Sequence, residues 1–71
     1  MQSRKQPTLT SRELECLQLL ARGMRSEAIA HELGVKRVTI DLHIANAKRK
    51  MNAFTREHAV ALAVHHDLVT L

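Results

Sequence analysis

The 71-residue chain has few residues of several types, and each shortage excludes a class of protein. One phenylalanine and no tryptophan or tyrosine mean that the core must be built from aliphatic side chains and methionine. Two glycines and one proline leave little room for extended loops. No apolar run approaches the ~20 residues that a membrane-spanning helix needs, and the start MQSRKQPTL lacks the apolar stretch of a signal peptide. The length therefore predicts one small domain, and the lack of a long apolar run predicts that it neither crosses a membrane nor binds one.

Cys16 is the only cysteine, so the chain cannot form an internal disulfide. Together with the missing signal peptide, this favours a reducing, cytoplasmic location. Cys16 falls in an apolar helical pattern, and we interpret it as a small, semi-buried hydrophobic residue rather than a reactive thiol.

Basic residues are concentrated in one region of the sequence. Between residues 36 and 56 there are six lysines and arginines and one acidic residue, Asp41, whereas the flanking segments are nearly balanced or acidic. This distribution is typical of a protein that binds a polyanion, although a solvated basic helix face gives the same pattern.

The spacing of apolar residues and helix caps predicts an all-α, four-helix domain over residues 9–71, after an arm or linker at 1–8. The helices are expected at about 11–22, 26–33, 37–51 and 55–66. Gly34 is expected to end the second helix, and Asn52 to take the left-handed position that ends the third. Thr10 and Glu13 form a capping box before the first helix, Ser26 is the expected cap of the second, and Thr55 that of the fourth. The tail at 68–69 is expected to fold back on the core.

The short second helix and the third are joined by Gly34-Val35-Lys36, and two helices connected by such a turn form a helix-turn-helix. This motif presents its second helix to the major groove of DNA. The inner face of the third helix is expected to consist of Ile40, Ile44, Ala47 and Met51, at offsets of 0, 4, 7 and 11 residues. If Ile40 faces the core, a step of about 100° per residue directs Val38, Leu42, Ala45 and Arg49 outward.

The base-reading residues are predicted on the outward face of the third helix and on the flanks beside it. Asn46 can bond an adenine in bidentate fashion, and apolar side chains can contact thymine methyl groups. The base-reading prediction comprises Asp41, Leu42, Ala45, Asn46 and Arg49. Residues at the ends and flanks of the helix are predicted to bind phosphates; they are Lys36, Arg37, Thr39, His43, Lys48 and Lys50. For Asp41 two roles stay open: an ion pair with Arg37 one turn earlier, or acceptance of a hydrogen bond from a cytosine amino group.

Enzyme and metal-binding functions find little support. The chain has five histidines, but the adjacent pair His65-His66 diverges by about 100° on a helix, and no carboxylate cluster or second cysteine stands at ligand spacing. No nucleophile with a paired base and no phosphate-binding loop is visible. We therefore expect no catalysis, no metal and no cofactor.

Four strings in order resemble the LuxR-type helix-turn-helix domain of quorum-sensing regulators and response regulators. They are L-T-x-R-E at 9–13, I-A-x-x-L-G-V at 29–35, T-[VI]-x-x-H-I at 39–44, and R-x-x-A-V-x-x-A at 56–63. The resemblance covers residues 9–69. It implies a cytoplasmic bacterial transcription regulator, or its output domain, that binds a two-fold related site in double-stranded promoter DNA as a homodimer.

The resemblance also implies roles for particular residues. Members of the family read the groove at the positions of Asp41, Leu42 and Ala45, and use those of Thr39 and His43 for backbone contacts and packing. Their fourth helix forms the dimer contact, which predicts an interface at Val60, Ala63 and Val64. The chain departs from the family where Arg25 and Lys36 replace capping serines, and where Asn52 and Asp67 replace glycines.

Two other binding functions are compatible with parts of this pattern. A sigma-factor-like helix-turn-helix would lack the ordered LuxR-type strings. A module repurposed for protein–protein interaction, with another regulator or RNA polymerase as its partner, is kept open by Asp41, Ala45 and the apolar outer face of the third helix.

Overall fold

The computed structural model describes residues 8–71, and within them the chain forms four α-helices and no strand. The helices are α1 (Ser11–Ala21), α2 (Ser26–Leu33), α3 (Arg37–Met51) and α4 (Arg56–His65). The predicted all-α fold is confirmed, and only the ends of the first and fourth helices differ, by one residue each. The arm predicted at 1–8 lies outside the described residues except for Thr8. None of the helices in residues 8–71 is long and apolar enough to cross a membrane.

The start of α1 is fixed by the predicted capping box. The backbone N–H of Glu13 donates to Oγ1 of Thr10 at 3.1 Å, and the N–H of Thr10 donates to Oε1 of Glu13 at 2.9 Å. These two bonds satisfy backbone donors that the first turn of a helix leaves free.

The turn between α2 and α3 is short because Gly34 ends α2 in the left-handed conformation, with φ 71° and ψ 33°. The N–H of Val35 then donates to the carbonyl of Ala30 at 3.0 Å and closes the helix end. Asn52 ends α3 in the same way at φ 56°. The predicted helix-turn-helix is therefore present.

The prediction that Ser26 caps α2 is wrong. The N-cap is Arg25, whose side chain makes no capping bond, and Ser26 is the first helical residue. The backbone is extended at Arg25 (φ −88°, ψ 163°) and helical from Ser26 onward, so Ser26 lies inside the first turn, where its side chain is buried. Thr55 caps α4 as predicted, accepting from the N–H of His58 at 2.9 Å.

Two groups of buried side chains form the core, and α3 contributes to both. The first group joins α1, α2 and α3; it comprises Cys16, Ile29, Ala30, Ile40 and Ile44. The second joins α1, α3, α4 and the tail; it comprises Leu17, Ala47, Met51, Ala59, Ala63 and Val69. All four residues predicted to form the inner face of α3 are buried, so the opposite face of this helix remains on the surface.

The chain after α4 returns to the core, as predicted. Asp67 adopts a left-handed conformation (φ 60°), and the N–H of Leu68 donates to the carbonyl of Ala63 at 2.7 Å. Val69 is buried, and Gln18 of α1 holds the backbone N–H of Thr70 at 3.1 Å. The tail thereby joins α1 to the end of α4.

A candidate nucleic-acid interface on α3

The outer face of α3 carries exposed apolar side chains. Val38 is 68% exposed and Leu42 is 58% exposed, and Ala45 and Arg49 are also exposed. These positions follow one another at offsets of four, three and four residues, so they lie on one side of the helix. The structure therefore brings together the outward residues that the sequence predicts, on the side opposite the core.

Asp41 lies on the flank of this face beside Arg37. Nε of Arg37 is 3.6 Å from Oδ2 of Asp41, and one of its terminal nitrogens is 3.1 Å from Oε2 of Glu27 on α2. Of the two roles left open for Asp41, the ion pair is the one that the structure contains. All three side chains are more than half exposed, so these pairs are weak, and the guanidinium retains donors for a further acceptor.

Asn46 and Arg49 form a hydrogen-bonded pair one turn apart. Nη2 of Arg49 donates to Oδ1 of Asn46 at 3.0 Å. The contact holds the guanidinium over the outer face, and the amide NH₂ of Asn46 still has its own donors for a base. The sequence predicts both residues as base readers but not this contact between them.

Lys50, one of the predicted phosphate contacts, is paired with a carboxylate of the domain itself. Its ammonium donates to both carboxylate oxygens of Glu13, at 2.9 and 3.1 Å. The Glu13 side chain is only 3% exposed and that of Lys50 is 30% exposed, so the ammonium is directed toward α1 while part of the lysine side chain stays on the surface. The partner of the Lys50 ammonium lies on a different helix, so this ion pair exists only in the folded chain.

The other predicted phosphate contacts differ in exposure. Lys36 and Arg37, at the start of α3, are exposed. Thr39, His43 and Lys48 are half-buried on the flanks of the helix. The exposed cations of α3 and its N-cap are therefore Lys36 and Arg37 at the N-terminal end and Arg49 near the C-terminal end.

Sequence reasoning missed a polar cleft beside α3. Arg25, Arg37 and Arg56 line it together with Ser26 and Glu27. Nη1 of Arg56 is 3.4 Å from the hydroxyl oxygen of Ser26, so the first residue of α4 reaches the first residue of α2 through its side chain. The first amides of α2 have no side-chain cap here, and the free N–H groups of a helix N-terminus attract anions. Arg25 at a cap position was a local sign that the start of α2 is basic. Arg56 is 31 residues away in sequence, so only the fold reveals that these two arginines line the same cleft.

Of the predicted dimer residues, Ala63 is misplaced. Its side chain has no exposed surface and belongs to the core cluster of α1, α3 and α4, so it cannot reach a second chain. Val60 and Val64 are half-buried on α4, and Ala61 between them is exposed. Any apolar contact made by α4 with another chain is therefore limited to the outer edge of the helix.

Cysteine, histidine and acidic side chains are the remaining groups that could bind a metal or act as a nucleophile. Within residues 8–71 no group of three or more histidine, cysteine or acidic side chains could hold a metal ion. Cys16 is fully buried, and this burial, assisted by the Glu15 carboxylate, raises the pKa of its thiol. A protonated, inaccessible thiol is a poor nucleophile, which confirms the interpretation of Cys16 as a hydrophobic residue.

A sequence model of the family described as GerE, bacterial regulatory proteins of the luxR family, matches residues 7–63. The chain belongs to the luxR family. The match includes α1, α2, α3 and most of α4, so it covers the whole helix-turn-helix and the exposed face of α3.

Curated relatives of this LuxR-family chain are transcriptional regulators. It is 42% identical over 60 residues to the uncharacterized transcriptional regulatory protein YxjL of Bacillus subtilis, covering 84% of this chain and 28% of YxjL. It is 38% identical over 61 residues to the transcriptional activator protein BjaR1 of Bradyrhizobium diazoefficiens, covering 86% of this chain and 25% of BjaR1. The chain thus spans about a quarter of the length of these relatives, both of which are named as transcriptional regulators or activators.

Solved structures share the fold of this LuxR-family chain. The transcription factor GerE superposes with a TM-score of 0.84 at 29% identity, covering 87% of this chain and 92% of GerE. VqmA of Vibrio cholerae, solved as a dimer without its target DNA, gives 0.85 at 28% identity, covering 99% of this chain and 33% of VqmA. A VqmA–ligand–DNA complex gives 0.82 at 26% identity, covering 96% of this chain and 30% of VqmA. The chain is therefore a LuxR-type helix-turn-helix domain from a family of transcription regulators.

Proposed function

We propose that the chain binds double-stranded promoter DNA sequence-specifically by placing α3 in the major groove. The observation that supports this most directly is the outer face of α3, which the core does not use and which carries Val38, Leu42 and Arg49 on the surface. An α-helix fits the width of the major groove, and its exposed side chains there contact base edges. In a bacterium this places the chain in the cytoplasm, with the DNA.

Phosphates on the two sides of the groove would be held by cations at the ends of α3 and in the cleft. Lys36 and Arg37 are exposed at the start of the helix. Arg25 and Arg56 add two guanidinium groups next to the uncapped amides of α2. Contacts of this kind fix the register of the protein on DNA without reading its sequence.

The proposal includes a homodimer formed through α4. Support comes from the half-buried Val60 and Val64, which are neighbours one turn apart, and from the similarity to VqmA, which was solved as a dimer. A two-fold dimer would place two copies of α3 on half-sites about one helical turn of DNA apart.

The test is a fluorescence anisotropy titration of the chain with genomic DNA fragments at about 50 and about 200 mM salt. Four phosphate contacts predict an affinity loss on the order of a hundredfold over this range, because each releases condensed counterions. If the chain binds no DNA at low salt, the proposal is wrong.

Two variants sharpen this test. Lys36→Ala should weaken binding to all sequences alike and reduce the salt slope by about one unit. Arg12→Ala is the matched control, since Arg12 is an exposed cation of α1 that is paired with Glu15 at 3.0 Å. Equal losses in the two variants would point to unspecific charge attraction instead of a defined interface.

A second candidate function is a protein-interaction module that contacts another regulator or RNA polymerase. The exposed Val38 and Leu42 favour it, because aliphatic side chains with this exposure can also contact a protein. The same titration distinguishes the two functions, since a protein-interaction module would show no steep loss of DNA affinity with salt.

A further inference from the structure

The face of α3 proposed to meet the bases is chemically unusual, because its centre cannot form hydrogen bonds. Val38, Leu42 and Ala45 define an apolar stripe along the helix, at offsets of zero, four and seven residues. Val38 and Leu42 are two of the four large hydrophobic side chains exposed within residues 8–71; the other two, Phe54 and Leu71, lie outside α3. None of the three stripe residues belongs to either core cluster.

Charged groups border the apolar stripe at both ends. Lys36 and Arg37 lie at its start, and Arg49, held by Asn46 at 3.0 Å, lies at its end. Asp41 beside the stripe is paired with Arg37, which reduces its repulsion of a polyanion. An apolar strip between cations complements the major groove, where bases lie between two rows of phosphates.

Only one base presents an aliphatic group to the major groove. The distinguishing features of guanine, cytosine and adenine there are hydrogen-bond donors and acceptors, whereas thymine adds its C5-methyl group. A valine, leucine or alanine side chain cannot satisfy a donor or an acceptor. An amino group of cytosine or adenine covered by Leu42 would lose its water without a replacement partner, which is unfavourable.

We infer that Val38, Leu42 and Ala45 read thymine methyl groups, so that the preferred half-site carries thymines opposite this stripe. The recognised chemistry is a methyl group at C5 of a pyrimidine, and in unmodified DNA only thymine has it. The inference rests on the proposed function and specifies the class of sequence that it selects. The identity of those bases is then set by contact with methyl groups more than by hydrogen bonds.

The experiment starts from duplexes selected from a random pool by the 71-residue chain. In the tightest binder, each thymine of a half-site is replaced in turn by uracil, which pairs identically and lacks only the methyl group. We expect one or more positions to lose about fourfold in affinity, the factor that corresponds to one buried methyl or methylene group. Thymines outside the contacted positions should show no change.

A double-mutant cycle assigns the methyl group to its protein partner. Leu42→Ala should weaken binding to the thymine duplex and abolish the penalty for uracil at one position, because the two changes remove the same contact. Leu71→Ala is the matched control, being the same substitution at an exposed leucine outside α3. It should leave both affinities unchanged, and circular dichroism should show that both variants are folded.

Each other outcome has a definite reading. Equal affinities for thymine and uracil duplexes, with binding retained, overturn the inference and leave the proposed function intact. A penalty for uracil that persists in full in Leu42→Ala, Val38→Ala and Ala45→Gly variants assigns the methyl contact to other residues and also overturns it. Failure to enrich any duplex, with no salt-dependent binding, rejects the proposed function together with the inference.

Discussion

Lys50 of α3 and Glu13 of α1 form an ion pair that links the helix proposed to face DNA to the first helix of the domain. The ammonium lies 2.9 and 3.1 Å from the two carboxylate oxygens, and the carboxylate also accepts from the N–H of Thr10. One glutamate therefore both starts α1 and fixes the C-terminal half of α3. This contact adds to the buried side chains that hold α3 against α1.

Lys50→Met should destabilise the domain because it leaves the buried carboxylate of Glu13 without its cation. We expect a loss of roughly 3 kcal/mol in the free energy of unfolding, at the lower end for such pairs since Lys50 is partly exposed. Urea denaturation followed by circular dichroism measures it. Arg12→Met removes the exposed pair with Glu15 and should cost less than about 1 kcal/mol; similar losses in both variants would contradict the role of Lys50.

Stability should fall in acid because of Glu13. Burial alone would raise the pKa of its carboxyl, but the N–H of Thr10 and the ammonium of Lys50 outweigh it and lower the pKa below its ordinary value of 4.5. A group with a lowered folded pKa stabilises fully above its unfolded pKa, and the stabilisation disappears as the pH falls through the folded pKa.

Urea midpoints measured between pH 7 and the acid range should therefore decrease below about pH 5. Glu13→Gln removes the titrating carboxyl and should show a shallower decrease than the unmodified chain. Parallel curves for the two proteins would mean that other carboxyls account for the acid sensitivity.

Cys16 should be protected from thiol reagents in the native domain. Its side chain is fully buried and the pKa of its thiol is raised, so reaction requires opening of the cluster between α1, α2 and α3. Labelling by iodoacetamide near pH 8 should be more than about tenfold slower in buffer than in denaturing urea. Equal rates would show that the cluster does not exclude the reagent.

Asn46→Ala and Arg49→Ala should each weaken binding to a selected DNA duplex without unfolding the domain, because both side chains lie on the surface of α3. Loss of a base contact typically costs about 1–3 kcal/mol. Since the two residues are hydrogen-bonded to each other, the double variant should lose less than the sum of the single losses. Unchanged affinity with an intact circular-dichroism spectrum would contradict their assignment to the interface.

Val64→Glu should shift the chain toward monomer in sedimentation velocity if α4 forms the dimer contact. The physical reason is that burying an unpaired charge between two chains is unfavourable. Ala28→Glu adds the same charge at an exposed position of α2 and should leave the sedimentation coefficient unchanged. If the unmodified chain is already monomeric at high concentration, this interface does not form in the 71-residue chain.

The sequence alone determined most of the local structure. The capping box at Thr10 and Glu13, the left-handed helix ends at Gly34 and Asn52, and the inner face of α3 were all predicted correctly. Each depends on residues within a few positions of one another, since caps and the 3.6-residue period are short-range effects. The four sequence strings between residues 9 and 63 also predicted the luxR family, and the family model confirms it.

Only the tertiary structure decided which residues at the edges of a helix are covered. Periodicity placed Lys50 on a polar flank, and the family resemblance predicted Ala63 at a dimer contact. In the structure Lys50 is paired with Glu13 of α1, and Ala63 lies in the core. The cleft of Arg25 and Arg56 likewise joins residues 31 positions apart. The helical period shows which residues share one face of a helix. Whether that face is exposed, forms a salt bridge or lies in the core depends on how the other helices pack against it.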